Sequence, residues 1–257
     1  MSGTTTICNG STTTLTASSS AGSPIYEWYS ASSGGTSLQT SSSFTTPALS
    51  SNTTYYVSVT ASSCTSSDRT ATNITVNPIP TIIGVTGTTG ICAGTTTTIT
   101  ASSSASMPSY NWYDAATNGT LLYNGSAFTT PTLNSNNNYY VSVTSGGCTS
   151  ASRTLSAITV SALPIASSPV NNNRIGSGPV IISATASSSA TLDWYSVSTS
   201  GSVLSSGNGV TTYTTPSIST TTTYYAQARL NASPGCVSAS RIPVVATIGP
   251  IGPGSIG

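Results

Sequence analysis

The sequence predicts an all-β protein built from three tandem β-sandwich domains. The first observation is a repeat: a Trp-Tyr pair, a Thr-Thr-Pro motif, a Tyr-Tyr pair, a Cys and an Arg occur in this order three times. The second copy lies 84 residues after the first, and the spacing to the third copy stretches to 88 residues by the Arg. A period of this length corresponds to one domain per repeat. The second observation is composition, because Thr, Val, Ile and Tyr at recurring positions favour strands.

Alternating apolar residues mark the strands of each repeat. Side chains two residues apart point to the same face of a strand, so short alternations bounded by turn residues indicate half-buried strands. In the first repeat the markers are Leu15 with Ala17, Trp28, Tyr55 with Val57 and Val59, and Ile74 with Val76. Turn signals lie between strands, at Ser33-Gly34-Gly35, Asn118-Gly119, Asn124-Gly125 and Asn208-Gly209. About seven short strands per repeat predict a β-sandwich.

A recurring tyrosine narrows this prediction to immunoglobulin-like or fibronectin-like sandwiches. Leu49 lies six residues before Tyr55, which opens a Val-x-Val strand, and this spacing resembles the tyrosine corner of such folds. The Trp of each repeat suits the buried Trp of the third strand. We therefore expect these residues to form the structural core: Trp28, Trp112, Trp194, Tyr55, Tyr139 and Tyr224. The adjacent tyrosines have the opposite parity and are predicted to face outward as possible surface contacts: Tyr29, Tyr113 and Tyr195.

The period also sets the predicted domain boundaries. Repeat 1 covers residues 1–77, repeat 2 covers 78–162 and repeat 3 covers 163–248. Repeat 2 begins with a Pro-containing linker and a plausible first strand, and the corresponding strand of repeat 1 is apparently missing. Residues 249–257 are predicted to be a Gly/Pro linker or the start of a further repeat. Alternatively, this tail adds a strand to the first domain of another subunit, a head-to-tail contact that builds filaments.

Two pairs of cysteines share one spacing. Cys8 and Cys64 are 56 residues apart, as are Cys92 and Cys148, with one pair in each of the first two repeats. This spacing predicts a disulfide inside each repeat. A zinc site is the rival interpretation, but the sequence has no His and no Cys-x-x-Cys motif to complete four ligands. Disulfides imply an oxidising environment, so we expect an extracytoplasmic, extracellular protein.

The third repeat departs from this pattern. Ile175 occupies the position that corresponds to Cys92, so Cys236 is predicted to be unpaired. Two alternatives follow for Cys236, namely a buried free thiol and an intermolecular bridge.

The low charge of the chain excludes several functions. Charged residues make up 4% of the chain, the formal net charge is +1, and neither His nor Lys is present. Nucleic-acid binding needs clustered basic residues, and a membrane span needs about 20 consecutive apolar residues, so neither nucleic acid nor membrane insertion is expected. Because the usual bases for acid–base and nucleophilic catalysis are missing, we predict no enzyme, no metal and no cofactor. A net charge near zero favours self-association.

Three carboxylates recur near the strand Trp. Glu27 and Asp193 each precede it, and Asp114 follows it by two residues. We expect them to pair, within the same sheet, with the recurring arginines Arg69, Arg153 and Arg241.

The order of short motifs resembles a known family. The motifs are Ile-Cys-x-Gly, Trp-Tyr, Tyr-Tyr-Val-Ser-Val-Thr and Cys-Thr-Ser-x-x-Arg. They resemble the Ig-like repeats of large surface adhesins in gliding bacteria of the Bacteroidota, closely in the first two repeats and loosely in the third. The resemblance implies export by the type IX secretion pathway and a role in stalks, gliding adhesins or extracellular filaments.

These observations lead to one expected function and two alternatives. We expect a structural repeat segment of a secreted cell-surface adhesin or extracellular filament, whose partners are copies of itself in a homo-oligomer or filament, and a target-cell surface or glycans. The first alternative is a tandem array of carbohydrate-binding modules with sugar-stacking platforms at Tyr29, Tyr113 and Tyr195. The second alternative is the non-catalytic scaffold of a secreted enzyme.

Overall fold

A computed structural model describes residues 1–207 and 211–251. Within these residues all regular secondary structure is β-strand. The predicted turn at Asn208-Gly209 and residues 252–257 of the predicted terminal linker lie outside the described residues. The chain divides into two compact units, which are Met1–Thr86 with Thr100–Phe128 and Tyr139–Ser156, and Gly87–Ile99 with Thr129–Asn138 and Ala157–Gly257.

Repeat 1 consists of two sheets around one apolar core. Its strands are β1 (Thr6–Cys8), β2 (Thr14–Thr16), β3 (Ile25–Tyr29), β4 (Gln39–Thr40), β5 (Ser43–Thr45), β6 (Thr53–Ala61), β7 (Cys64–Thr65) and β8 (Thr70–Asn77). The larger sheet has the order β1-β8-β6-β3-β4, with β7 paired to β6, and the smaller sheet pairs β2 with β5. β1 runs parallel to β8, whereas β6 runs antiparallel to both β8 and β3.

Repeat 2 has the same order of strands and one strand more. Its strands are β9 (Gly84–Gly87), β10 (Gly90–Cys92), β11 (Thr98–Ser102), β12 (Ser109–Tyr113), β13 (Leu121–Asn124), β14 (Ala127–Thr129), β15 (Asn137–Ser145), β16 (Cys148–Thr149) and β17 (Thr154–Ser161). The larger sheet has the order β10-β17-β15-β12-β13, and the smaller sheet has the order β14-β11-β9. Where repeat 2 has β9, repeat 1 has a single bridge between Ser2 and Thr16.

Repeat 3 keeps the topology of the larger sheet. Its strands are β18 (Ala166–Val170), β19 (Asn172–Ile175), β20 (Ile181–Ala186), β21 (Ala190–Tyr195), β22 (Ser205–Gly207), β23 (Thr212–Thr214), β24 (Thr222–Leu230) and β25 (Ile242–Gly249). The larger sheet has the order β19-β25-β24-β21-β22, and β18-β20-β23 form the other sheet. In all three repeats one short strand of the larger sheet therefore pairs in parallel with the last strand of the repeat. The parallel pairs are β1 with β8, β10 with β17 and β19 with β25.

A ladder of three aromatic rings lies in the core of each repeat. A fully buried Trp stacks on a second ring at a centroid distance of 5.5–5.8 Å, and this ring meets the buried corner Tyr at 5.0–5.3 Å. The ladders are Trp28-Phe44-Tyr55, Trp112-Phe128-Tyr139 and Trp194-Tyr213-Tyr224. Sequence reasoning missed the middle ring, although an aromatic residue stands two positions before the second Thr of each Thr-Thr-Pro motif. Burial raises the pKa of the Tyr55 and Tyr224 hydroxyls.

The Thr-Thr-Pro motif has a structural role that its recurrence alone did not reveal. The second Thr of each copy is buried, and its hydroxyl oxygen accepts a hydrogen bond from the backbone N–H of the residue just before β2, β11 or β20. The three pairs are Thr46 with Thr13, Thr130 with Thr97 and Thr215 with Val180, at 3.0–3.1 Å. A buried N–H without a partner destabilises a fold, so this hydroxyl explains why Thr recurs there.

Candidate functional site

A disulfide joins repeat 1 to repeat 2 within the first compact unit. Cys8 is bonded to Cys148, with the two Cα atoms 5.6 Å apart. Cys8 is the last residue of β1, and Cys148 is the first residue of β16, directly after the β15–β16 turn. Only 1% of Cys148 is exposed, so solvent does not reach this end of the bridge.

The predicted disulfide between Cys8 and Cys64 is wrong. Because β1 is parallel to β8, Cys8 lies beside Asn77 at the end of β8. β6 is antiparallel to β8, so the β6–β7 hairpin that holds Cys64 lies beyond Thr70, at the start of β8. About eleven residues of strand, roughly 35 Å, separate the two cysteines, whereas the Cα atoms of a disulfide lie about 4–7 Å apart. The two cysteines are at opposite ends of the same sheet.

A hydrogen bond accompanies the first bridge. The side-chain amide of Asn77 donates to the carbonyl oxygen of Gly146 at 2.7 Å. Gly146 and Gly147 form the β15–β16 turn with φ values of 55° and 79°. A Cβ atom on Gly146 would lie 2.8 Å from Nδ2 of Asn77, closer than packing allows. Glycine at this turn therefore lets the end of repeat 1 approach the hairpin of repeat 2 closely.

A second disulfide joins repeat 2 to repeat 3 within the second compact unit. Cys92 is bonded to Cys236, with the Cα atoms 5.6 Å apart. The predictions that Cys92 pairs with Cys148 and that Cys236 is unpaired are therefore wrong, and Cys236 is only 2% exposed. β24 ends at Leu230, and a longer loop leads to Cys236, whose carbonyl accepts a hydrogen bond from the Leu230 N–H at 2.8 Å.

The two bridges follow one rule. A cysteine at the end of the first strand of the larger sheet bonds to the cysteine after the hairpin of the next repeat. Repeat 3 has Ile175 in place of this first cysteine. Cys236 is nevertheless bonded, because its partner is Cys92 of the preceding repeat. Cys64, predicted to be bonded, is a free and exposed thiol.

Tryptic mapping should distinguish this pairing from the one inside repeats. Arg69 and Arg153 cleave such that Cys8 and Cys64 share peptide 1–69, while Cys92 and Cys148 share peptide 70–153. Bridges between repeats would hold peptides 1–69, 70–153 and 230–241 together as one species in a non-reducing digest. Mass spectrometry before and after reduction measures this, with Cys64→Ser as a control that leaves the species intact. Separate peptides 1–69 and 70–153 would contradict the bridges.

An arginine covers one face of each tyrosine predicted to be a surface contact. The guanidinium carbon lies 3.2–3.3 Å from the ring centroid in the pairs Arg69–Tyr29, Arg153–Tyr113 and Arg241–Tyr195. Each Arg also donates from Nη1 to a backbone carbonyl in the loop after the Trp-Tyr strand, to Ala31, Ala115 and Val197 respectively. Tyr29 and Tyr113 are half-buried, whereas Tyr195 is only 8% exposed, so the prediction that Tyr195 faces outward is wrong. The cation–π contact and the hydrogen bond connect this loop to the residue that directly precedes the last strand of the repeat.

The predicted pairing of three carboxylates with these arginines is wrong. Glu27 accepts a hydrogen bond from the Tyr29 hydroxyl at 2.9 Å, and Asp114 accepts from the Thr120 N–H at 2.6 Å. Asp193 forms an ion pair with Arg229 instead, at 2.8 Å. Burial favours the neutral form of Asp193, but hydrogen bonds from Arg229 and Ser206 and the positive charges of Arg229 and Arg241 together outweigh it and hold the pKa of Asp193 below its usual value. The three carboxylates thus accept hydrogen bonds from other donors, and the three arginines contact the tyrosine rings instead.

Among the described residues there is neither a cluster of potential metal ligands nor a membrane-spanning helix. No cluster of three or more His, Cys, Asp or Glu side chains occurs in residues 1–207 and 211–251. The same residues form no helix with the length and apolarity of a transmembrane segment. The two disulfides indicate an extracellular protein, because disulfides persist in oxidising environments.

Comparisons with known proteins agree with the fold. The family described as "Ig-like domain CHU_C associated" matches residues 1–78, 80–162 and 163–250. No curated protein matches the sequence. Solved structures to which the chain is similar include three N-terminal domains of the outer capsid protein Hoc of bacteriophage RB49 (11% identity, covering 96% of each chain, TM-score 0.46). They also include the I-band fragment I67-I69 from titin (11% identity, covering 96% of this chain and 95% of that chain, TM-score 0.46). The prediction of three tandem immunoglobulin-like sandwiches is confirmed.

Proposed function

We propose that this chain, which belongs to the family of CHU_C-associated Ig-like domains, is a structural segment that transmits tension in a secreted cell-surface adhesin or extracellular filament. The family match supports this proposal, because tandem Ig-like domains are typical of structural and adhesive repeat proteins and are typically non-catalytic. The motif order supports export by the type IX secretion pathway to the surface of a gliding bacterium.

The observation that carries this proposal is that both disulfides connect neighbouring repeats and neither lies within a single repeat. Domains that share a single linker move relative to one another unless their interface is large. Here Cys8–Cys148 and Cys92–Cys236 each add a second covalent connection between neighbouring repeats. Pulling such neighbours apart requires breaking a covalent bond. Disulfides that only kept single domains folded would not need to run between repeats.

The surface chemistry supports adhesion or self-assembly in preference to the alternatives. A formal net charge of +1 and 4% charged residues leave little electrostatic repulsion between copies. The array of sugar-binding modules is the less favoured alternative, because Arg69, Arg153 and Arg241 each occupy one face of a proposed stacking tyrosine.

Adhesion under flow tests the proposal in cells that produce the protein. Antibodies against the chain should label intact cells, and cells with a Cys8→Ser/Cys92→Ser variant should detach at lower shear than wild-type cells while displaying equal amounts of protein. Val170→Ser is the matched control, because it introduces a serine at an exposed position without removing a cysteine. Labelling only after lysis, or equal retention of the double variant, would contradict the proposal. Retention that depends on a glycan surface and is lost in Tyr113→Ala would favour the carbohydrate-binding alternative.

A further inference from the structure

We propose that the β6–β7 hairpin of repeat 1 is a docking site for another Ig-like repeat of this type, and that Cys64 forms a disulfide with the cysteine that ends that repeat's first strand. This inference deepens the proposed function, on which it rests, by naming the partner. The partner is a repeat that carries a cysteine where repeats 1 and 2 carry Cys8 and Cys92.

The hairpin around Cys64 has the geometry of the hairpin around the bonded Cys148. Cys64 is opposite Ala61 as Cys148 is opposite Ser145. Both hairpins turn through two residues with positive φ, at 49° and 64° for Ser62 and Ser63 and at 55° and 79° for Gly146 and Gly147.

The hydrogen bonds that hold these two hairpins also match. A Thr hydroxyl pair bridges each hairpin, Thr60 with Thr65 at 2.8 Å and Thr144 with Thr149 at 2.9 Å. A Ser N–H one residue further on donates to a Val carbonyl at 2.8 Å in both repeats. Cys64 is therefore held where Cys148 is held, and Cys148 is bonded to a preceding repeat.

A third copy supports the same assignment. Cys236, at the corresponding position of repeat 3, is bonded to a preceding repeat although its loop is longer. Two of the three equivalent cysteines are thus bonded in the same manner and are 1% and 2% exposed. Cys64 differs in being exposed, with no neighbouring repeat on it in the described chain. Cys64 is thus a free thiol on a hairpin that has the geometry of the bonded Cys148 hairpin.

No cysteine of this chain is left to serve as that partner. Cys8 and Cys92 are already bonded, and repeat 3 has Ile175 at this position. Ile175 ends β19 opposite Gly249, as Cys8 ends β1 opposite Asn77, and the N–H of the following residue donates to the opposite carbonyl in both cases. Repeat 3 of a second wild-type copy therefore has no cysteine that could bond to Cys64. The single substitution Ile175→Cys would place a cysteine at this position.

Bond formation follows thiol–disulfide exchange. With oxidised glutathione as the oxidant, one cysteine first forms a mixed disulfide and releases one reduced glutathione. The thiolate of the other cysteine then attacks the protein sulfur and expels the second glutathione. Two thiols lose two electrons and two protons in total, and one glutathione disulfide becomes two thiols.

The test uses the 257-residue chain with the substitution Ile175→Cys. Ile175 is 75% exposed, so the substitution should leave the fold unchanged, which circular dichroism checks. In a glutathione redox buffer we expect this variant to form reducible head-to-tail multimers on non-reducing gels. Cleavage at Arg174 and Arg229 should then add peptide 175–229 to the species that contains peptide 1–69. The Cys64→Ser/Ile175→Cys variant should lose both results.

Val170→Cys is the matched control, because Val170 is also exposed (54%) and in repeat 3 but lies away from the end of β19. Preferential linkage of Cys64 to position 175 over position 170 supports the proposal. Equal linkage at both positions, or products that consist mainly of identical peptides joined to each other, would overturn it. If this outcome came with peptides 1–69, 70–153 and 230–241 still joined, the bridging of successive repeats would stand and only the partner of Cys64 would be wrong.

Discussion

Pulled from its two ends, the oxidised chain should extend to only about a third of the length that the reduced chain reaches. The two disulfides connect three segments in parallel, from Cys8 to Cys92, from Cys92 to Cys148 and from Cys148 to Cys236. The shortest of the three, from Cys92 to Cys148, limits the extension. The load path therefore runs from Met1 to Cys8, crosses to Cys148, returns to Cys92, crosses to Cys236 and continues to the C-terminus.

Single-molecule force spectroscopy measures this difference. The load path contains roughly 84 residues, so the oxidised chain should reach about 300 Å, whereas the reduced chain of 257 residues should reach about 900 Å. Disulfides inside repeats 1 and 2 would instead allow about 500 Å. Cys64→Ser should not change the extended length of the oxidised chain. Cys92→Ser should increase this length, because it removes the disulfide to Cys236. An oxidised chain that extends as far as the reduced one would show that neither bridge exists.

The second large effect is expected from Trp28→Ala in repeat 1. Trp28 is fully buried, its ring stacks on Phe44 with centroids 5.5 Å apart, and its Nε1 donates to the Ser41 carbonyl at 2.9 Å. Truncating a buried Trp to Ala costs about 3–5 kcal/mol, a large part of the roughly 5–15 kcal/mol that stabilises a typical domain. We therefore expect the unfolding transition of repeat 1 to move to a much lower temperature.

Differential scanning calorimetry of the full chain measures this shift. Ile25→Ala is the matched control, since Ile25 lies on the same strand β3 but is 54% exposed. Its effect should stay within about 0.5 kcal/mol, as for other surface substitutions. A Trp28→Ala profile no different from that of Ile25→Ala would contradict the role of the ring ladder.

The fold was predictable because its signals are local. Apolar alternation assigned Leu15, Trp28, Tyr55 and Ile74 to strands, and all four side chains are buried. The alternation of side chains along the strand also placed Trp28 and Tyr29 on opposite faces. Tyr29 is less buried than Trp28, and Arg69 lies over its ring. What parity did not give was the partner of that outward ring, because Arg69 lies 40 residues away along the chain.

The disulfides show the limit of this kind of reasoning. The equal spacing of Cys8 to Cys64 and Cys92 to Cys148 was real, but it reflected the repeat period and not the pairing. Within one repeat, the first strand is parallel to the last, and this direction places Cys8 and Cys64 at opposite ends of the sheet.

The sequence alone determined three immunoglobulin-like sandwiches and their buried faces, because side-chain alternation and the repeat period can be read directly along the chain. It also determined a composition with only 4% charged residues. Only the tertiary structure decided that Cys8 bonds Cys148, that Cys92 bonds Cys236 and that Cys64 remains exposed. The physical reason is that a disulfide needs its two Cα atoms within about 7 Å. Strand direction and the docking of the next repeat, which no local pattern encodes, bring the bonded pairs to that distance.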